Sequence, residues 1–115
     1  MKINYKKSGA RAIRWALEDY LLIFNDGALK LDLNELAGSS PVFLAISEDA
    51  AGNLITGPGI RYAAELRIPA KTYHLEKIGF TDDFGYPALR KVWDSVDLDK
   101  VELTLWPAKE ISDEL

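Results

Sequence analysis

Cysteine is absent from this chain of 115 residues, and histidine and methionine occur once each. The lack of cysteine removes disulfides, a thiolate nucleophile and every cysteine-ligated zinc site, and it leaves the redox compartment open. His74 stands alone, so a zinc centre has no second imidazole. A nucleophilic triad would need a hydroxyl and a carboxylate brought to that one ring by the fold, and no Gly-x-Ser-x-Gly elbow is present. Between Tyr73 and Leu75, His74 reads as a surface or half-buried packing residue on a strand.

Long apolar runs are also missing. Tyr20-Leu21-Leu22-Ile23-Phe24 is the longest aliphatic-aromatic run, far short of the roughly 20 residues that a spanning helix requires. Arg11 and Arg14 interrupt any run that would serve as the core of a signal peptide. Ser112-Asp113-Glu114-Leu115 lacks the lysine or histidine of an ER-retention address. The expectation is a cytoplasmic protein with no membrane partner, and a place in a virion is compatible with it.

Phosphate and metal motifs are equally scarce. Gly57-Pro58-Gly59 leads into neither Gly-Lys-Ser/Thr nor a helix start, so it reads as a chain break. Asp83-Phe84-Gly85 spells a kinase magnesium motif, but the glycine-rich loop, strand lysine and catalytic loop that give it meaning are absent. Calcium would want six to eight oxygens, and the next acid after Asp82 and Asp83 is Asp94. A turn, with an aspartate bonding the backbone and Gly85 at positive φ, is the simpler reading. Nothing among the eighteen carboxylates singles out an acid–base pair. The expectation is no cofactor, no metal and no catalytic set.

Against these absences stands an ordinary globular composition, 48% hydrophobic, in a chain long enough to bury roughly two-thirds of its unfolded surface. No repeat or long linker divides it, so residues 1–115 read as one domain, with 108–115 a polar, frayed tail. The net charge of −4 hides an asymmetry. Residues 1–17 carry five bases and no acid, whereas residues 93–115 carry seven acids and two bases. Such polarity pairs the termini within one fold, joins neighbouring subunits head to tail, or reflects two solvated ends. Overall acidity disfavours nonspecific nucleic-acid binding, although Tyr5 and Trp15 lie among the basic residues.

The strongest pattern is alternation. Tyr62, Ala64, Leu66, Ile68 and Ala70 take one parity, and Arg61, Glu65, Arg67 and Lys71 take the other. That is a half-buried strand. Pro69 cannot donate to a ladder, so the strand is expected at an edge or bulged at Pro69-Ala70, where the parity slips before Tyr73 and Leu75. Val101, Leu103 and Leu105 alternate with Glu102 and Thr104 in a last strand. Val42 to Ser47 reads as a strand, returning through Leu54-Ile55-Thr56. Lys71 to Phe80 turns through Thr81–Pro87 and returns through Leu89 to Trp93.

Near the N-terminus two readings coexist. A short helix from about Ala10 to Asp19, capped by Ser8, fits the stripe Ile13, Ala16, Leu17. A hairpin through Asn25-Asp26-Gly27 joins Tyr20–Phe24 to Leu29, Leu31 and Leu33. The fold class is therefore mainly β: a single-domain antiparallel sandwich or small barrel, with at most one short N-terminal helix.

One feature points to function. Phe80, Phe84 and Tyr86 cluster about a turn, where a loop would ordinarily be polar. Rings at a hairpin tip are suited to anchor a partner, with Asp82 and Asp83 as a polar rim. The ordinary alternative is that they fold back and cap the core. Trp15, Trp93 and Trp106 read as core or rim residues. The expected function is a non-enzymatic protein-interaction or structural accessory module, self-associating or bound to another protein, in a larger assembly such as a phage or prophage particle. A carbohydrate-binding or hydrolytic β-domain and an acidic mimic of nucleic acid are the alternatives. The expected contact surface is the turn at Asp82–Pro87 with its flanking strands, and the expected partner-binding residues are Asp82, Asp83, Phe84 and Tyr86.

Overall fold

The computed structural model describes residues 1–6 and 12–107. Ten strands follow one another: β1 (Lys2–Tyr5), β2 (Trp15–Glu18), β3 (Leu21–Phe24), β4 (Leu29–Asp32), β5 (Val42–Glu48), β6 (Leu54–Thr56), β7 (Arg61–Ile68), β8 (Tyr73–Thr81), β9 (Pro87–Trp93) and β10 (Glu102–Leu105). A single turn of helix, α1 (Leu33–Leu36), separates β4 from β5. The protein is mainly β, as the alternation predicts, and no sheet closes into a barrel among the described residues.

Strands pair into three sheets: five strands in the order β1-β10-β7-β5-β6, three in the order β2-β3-β4, and the two-stranded ribbon β8-β9. Most pairs are antiparallel, but β1 runs parallel to β10, so the antiparallel expectation fails at that edge. Lys2 lies opposite Glu102 there, and the basic start of the chain sits beside its acidic last strand. Four residues are too short a stretch for their pattern to mark this strand in the sequence.

The expected helix from about Ala10 to Asp19 does not form over the described part, where β2 takes its place; its proposed cap Ser8 and the polar tail at 108–115 lie outside the described residues. Four residues from Trp15 carry too little pattern to separate a period of 3.6 from one of 2. Pairing with β3 decides, turning Trp15 and Leu17 inward and Ala16 and Glu18 outward. The hairpin at Asn25-Asp26-Gly27 forms as expected, with φ of 47°, 58° and 118°. Asparagine and aspartate, whose short side chains bond the local backbone, and glycine, which has no Cβ, are the residues that tolerate this left-handed region. Asp32 ends β4 and caps α1, its carboxylate accepting from the Asn34 and Glu35 amides at 3.0 and 3.1 Å.

Strand β7 corrects a second expectation. It is central, flanked by β10 and β5, and it ends at Ile68, before Pro69 can interrupt a ladder. The irregularity lies instead at its start. Ile46 pairs with Ala64 but Ser47 pairs with Tyr62, which leaves Ala63 extra. Both alanines are therefore buried, and Tyr62 turns to the outer face against Trp106, 5.8 Å between ring centroids. The parity slip near Ala70 arises because the chain leaves the sheet there.

The core is one cluster. Leu22, Phe24, Leu31 and Leu33 from the three-stranded side meet Ile46, Leu66, Ile68, Val101, Leu103 and Leu105 from the five-stranded side. No buried hydrophobic residue comes from β8 or β9. The ribbon projects from the body, giving principal extents of 75 × 26 × 21 Å and a radius of gyration of 19.5 Å. A compact chain of this length would have roughly 13 Å. Among the described residues no helix is long and apolar enough to cross a membrane.

Candidate functional site: the projecting arm

The arm is built on a braced foot. The Lys71 amide donates to the Gly38 carbonyl at 2.8 Å, and the Asp94 amide donates to the Thr72 carbonyl at 2.9 Å. Beyond it, the Val96 amide donates to Asn34 Oδ1 at 2.9 Å, tying the returning chain to α1. Between these points β8 and β9, nine and seven residues long, pair only with each other among the described residues. At ~3.3 Å per residue, the longer strand reaches about 30 Å.

Residues directly opposite each other in an antiparallel pair share a face. One face of the arm therefore carries Tyr73 and Trp93, Leu75 and Lys91, and Lys77 and Leu89. Its four apolar side chains are each about half exposed. Tyr73 and Trp93 meet edge to face at 5.4 Å, and Lys91 Nζ lies 4.4 Å from the Tyr73 centroid and 5.7 Å from that of Trp93. Trp93, expected in the core or its rim, stands half exposed at the foot beside Ala37, where this open surface meets the edge of the core.

The opposite face is polar. His74 Nδ1 lies 2.9 Å from Asp94 Oδ1, and its Nε2 lies 2.9 Å from Glu76 Oε1. Arg90 adds a longer contact to Glu76 at 3.4 Å, and the Thr72 hydroxyl donates to Asp94 at 3.0 Å. The hydrogen bond to Glu76, then that to Asp94, raises the His74 pKa above its ordinary value. Bonding to His74 lowers both carboxylates, with Arg90 reinforcing the effect on Glu76 and Thr72 that on Asp94. His74 is thus one link in a surface network. Its spacing from Glu76 was legible as an i, i+2 pair on one face of a strand, but Asp94 and Arg90 reach it only through the register.

That register shifts between Lys77 and Thr81, where Ile78, Gly79 and Phe80 face a single residue, Ala88. Gly79, at φ +83°, supplies the left-handed residue that the irregularity needs. At the tip, Asp82 Oδ1 accepts from the Phe84 and Tyr86 amides, both at 2.9 Å, and the Gly85 amide donates to the Asp82 carbonyl at 3.0 Å. The aspartate turn expected from Asp82-Asp83-Phe84-Gly85 is therefore present, with Gly85 at φ +81°.

Of the four residues singled out in the sequence, Asp82 shapes the turn and Asp83 is exposed beside it. Phe84 and Tyr86 are 86% and 69% exposed, so the rings do not fold back onto the core. The strands that flank the turn are legible in the sequence as one hairpin, whereas their standing clear of the body, with an apolar face exposed from the tip to the foot, is not. Among the described residues no three His, Asp or Glu side chains converge as a metal site. Comparison with models of known protein families, with curated proteins and with solved structures gave no match to this chain, so the reading of the arm rests on its own chemistry and geometry.

Proposed function

We propose that this chain is a non-enzymatic protein-assembly module, a structural accessory subunit of a larger particle of the phage or prophage kind, which engages its partner through the β8–β9 arm. The observation that carries this reading is an arm of alternating apolar residues lying wholly outside the hydrophobic core. A two-stranded ribbon alone is at best marginally stable in water. Contiguous exposed apolar surface rimmed by polar groups is characteristic of interaction sites. Phe84 and Tyr86 serve as anchors, Asp83 as polar rim, and Asp82 holds the turn that presents them.

The polar network supports the non-enzymatic part of the reading. Both ring nitrogens of His74 are engaged by carboxylates, which leaves neither one turned toward a substrate. The remainder of the chain is best taken as a two-layer sandwich, since one cluster draws on both larger sheets. The site of action is the cytoplasm or the particle assembled there.

The test is the double change Phe84→Ser and Tyr86→Ser. Far-UV circular dichroism and melting temperature should stay within the ~0.5 kcal/mol typical of surface substitutions. Self-assembly or capture of the native partner should be lost. A variant that still assembles removes the tip from the interface, and one that unfolds assigns the rings to the core.

A further inference from the structure

We infer that the surface receiving the arm is the outer face of the five-stranded sheet of a second copy of this chain, giving a head-to-tail contact; the inference rests on the arm being the binding element. That outer face holds a shallow depression of about 390 Å³ lined by Phe43, Ala45, Glu65, Arg67, Glu102 and Thr104. Its rows follow from the register. Phe43, Arg67 and Glu102 lie side by side on β5, β7 and β10, and Ala45, Glu65 and Thr104 form the next row. Phe43 is 70% exposed.

The charges of the two surfaces share one geometry. On the arm, Leu75 is opposite Lys91 and Lys77 is opposite Leu89, so the two lysines occupy one diagonal of a four-residue square. On the sheet, Glu102 is opposite Arg67 and Thr104 is opposite Glu65, so the two glutamates also occupy one diagonal. Diagonal neighbours on paired strands stand roughly 7–8 Å apart. Two ammonium groups can therefore meet two carboxylates together, with Leu75 and Leu89 set over Thr104 and the stem of Arg67. None of these four charged residues takes part in an ion pair within the described residues.

Two other cations share the face. Arg67 is turned onto the Phe43 ring, 5.2 Å from its centroid, and Lys2 stands beyond Glu102 on the edge strand. Neither is ion-paired to the glutamates. A symmetric contact of arm on arm is less favourable, because stacking two such faces brings four ammonium groups together. An arm seated on a body is heterologous, so each copy offers one arm and one face, and the contacts propagate into a ring or filament.

The arm is narrow. Two strands about 30 Å long and about 10 Å wide cover less than the ~800 Å² per partner of a standard interface, so each contact is weak and assembly depends on concentration. Sedimentation velocity from about 1 μM to about 1 mM is the appropriate measurement. Wild type should grow from monomer to oligomers across that range. Lys77→Glu with Lys91→Glu should stay monomeric, as should Glu65→Lys with Glu102→Lys, each with unchanged circular dichroism. All four reversals combined in one chain should restore assembly.

A wild type that stays monomeric throughout overturns the second copy as occupant and leaves the arm to a different protein. Assembly that is lost with Leu75→Ser and Leu89→Ser, yet indifferent to the glutamate reversals, overturns the receiving face alone. Assembly that survives every change in the arm overturns the arm as well.

Discussion

Excising the arm should leave the rest of the protein folded. The change replaces Tyr73–Trp93 by Asn-Gly between Thr72 and Asp94, which already share a backbone hydrogen bond of 2.9 Å. An Asn-Gly pair is the turn such a junction favours. None of the buried hydrophobic residues lies in the excised stretch. The losses are the exposed His74–Asp94 contact, which contributes little at the surface, and Trp93, half exposed beside Ala37 and Gly38, where half-burial of an aromatic is worth about 1 kcal/mol. Shortening a connection of about twenty residues to two is a little over three halvings, which returns about 2 kcal/mol of loop-closure entropy in the flexible-chain limit. The two terms nearly cancel, so stability should change by about 1 kcal/mol or less, a shift of roughly 4–8 °C in melting temperature at most. Differential scanning calorimetry, with near-UV circular dichroism of the body tryptophans, reads this directly. A fall of more than ~10 °C, or loss of the cooperative transition, would show that the arm belongs to the folding unit and refute its separation from the core.

Three further outcomes follow from the same structure. Leu66→Asp, at a site 1% exposed, should abolish cooperative unfolding because a buried unpaired charge costs several kcal/mol, while Arg67→Asp on the opposite face should be nearly silent; equal tolerance would contradict the strand's orientation. Gly59→Ala should destabilise by about 1–3 kcal/mol, since a Cβ there would stand 2.5 Å from the Glu48 carbonyl oxygen and 2.8 Å from Ser47 Cβ; an unchanged denaturation midpoint would show that the two segments separate freely. The His74 network should be tightest between the ordinary carboxylate and imidazole ranges. The raised His74 value makes its contribution complete below 6.5 and lost as pH climbs through that raised value, and the lowered Glu76 and Asp94 values make theirs complete above about 4.5 and lost on acidification. In an NMR titration the imidazole midpoint should lie above 6.5 and fall in Glu76→Gln; a wild-type midpoint at or below 6.5 contradicts the network.

Local features were written in the order of residues along the chain. Alternation at Ala64, Leu66 and Ile68 and at Leu103 and Leu105 marked the core faces, because side-chain direction along a strand has a period of two whatever its neighbours are. Asn25-Asp26-Gly27 and Asp82-Asp83-Phe84-Gly85 marked turns, because few side chains accept left-handed backbone or bond it from within the turn. Tertiary structure decided everything that depends on partners. Trp15–Glu18 became a strand because β3 was there to pair with it, and Lys2–Tyr5 because β10 offered a parallel edge. The extra residue at Ala63 turned Tyr62 outward, a reversal visible only against β5. The arm belongs to this second group. Its residues alternate as those of a body strand do, and apolar content cannot say whether a face is covered. Among the described residues no part of the body packs over the apolar face of β8 and β9, and only the pairing that sets His74 opposite Val92 brings its ring beside Asp94 from the other strand.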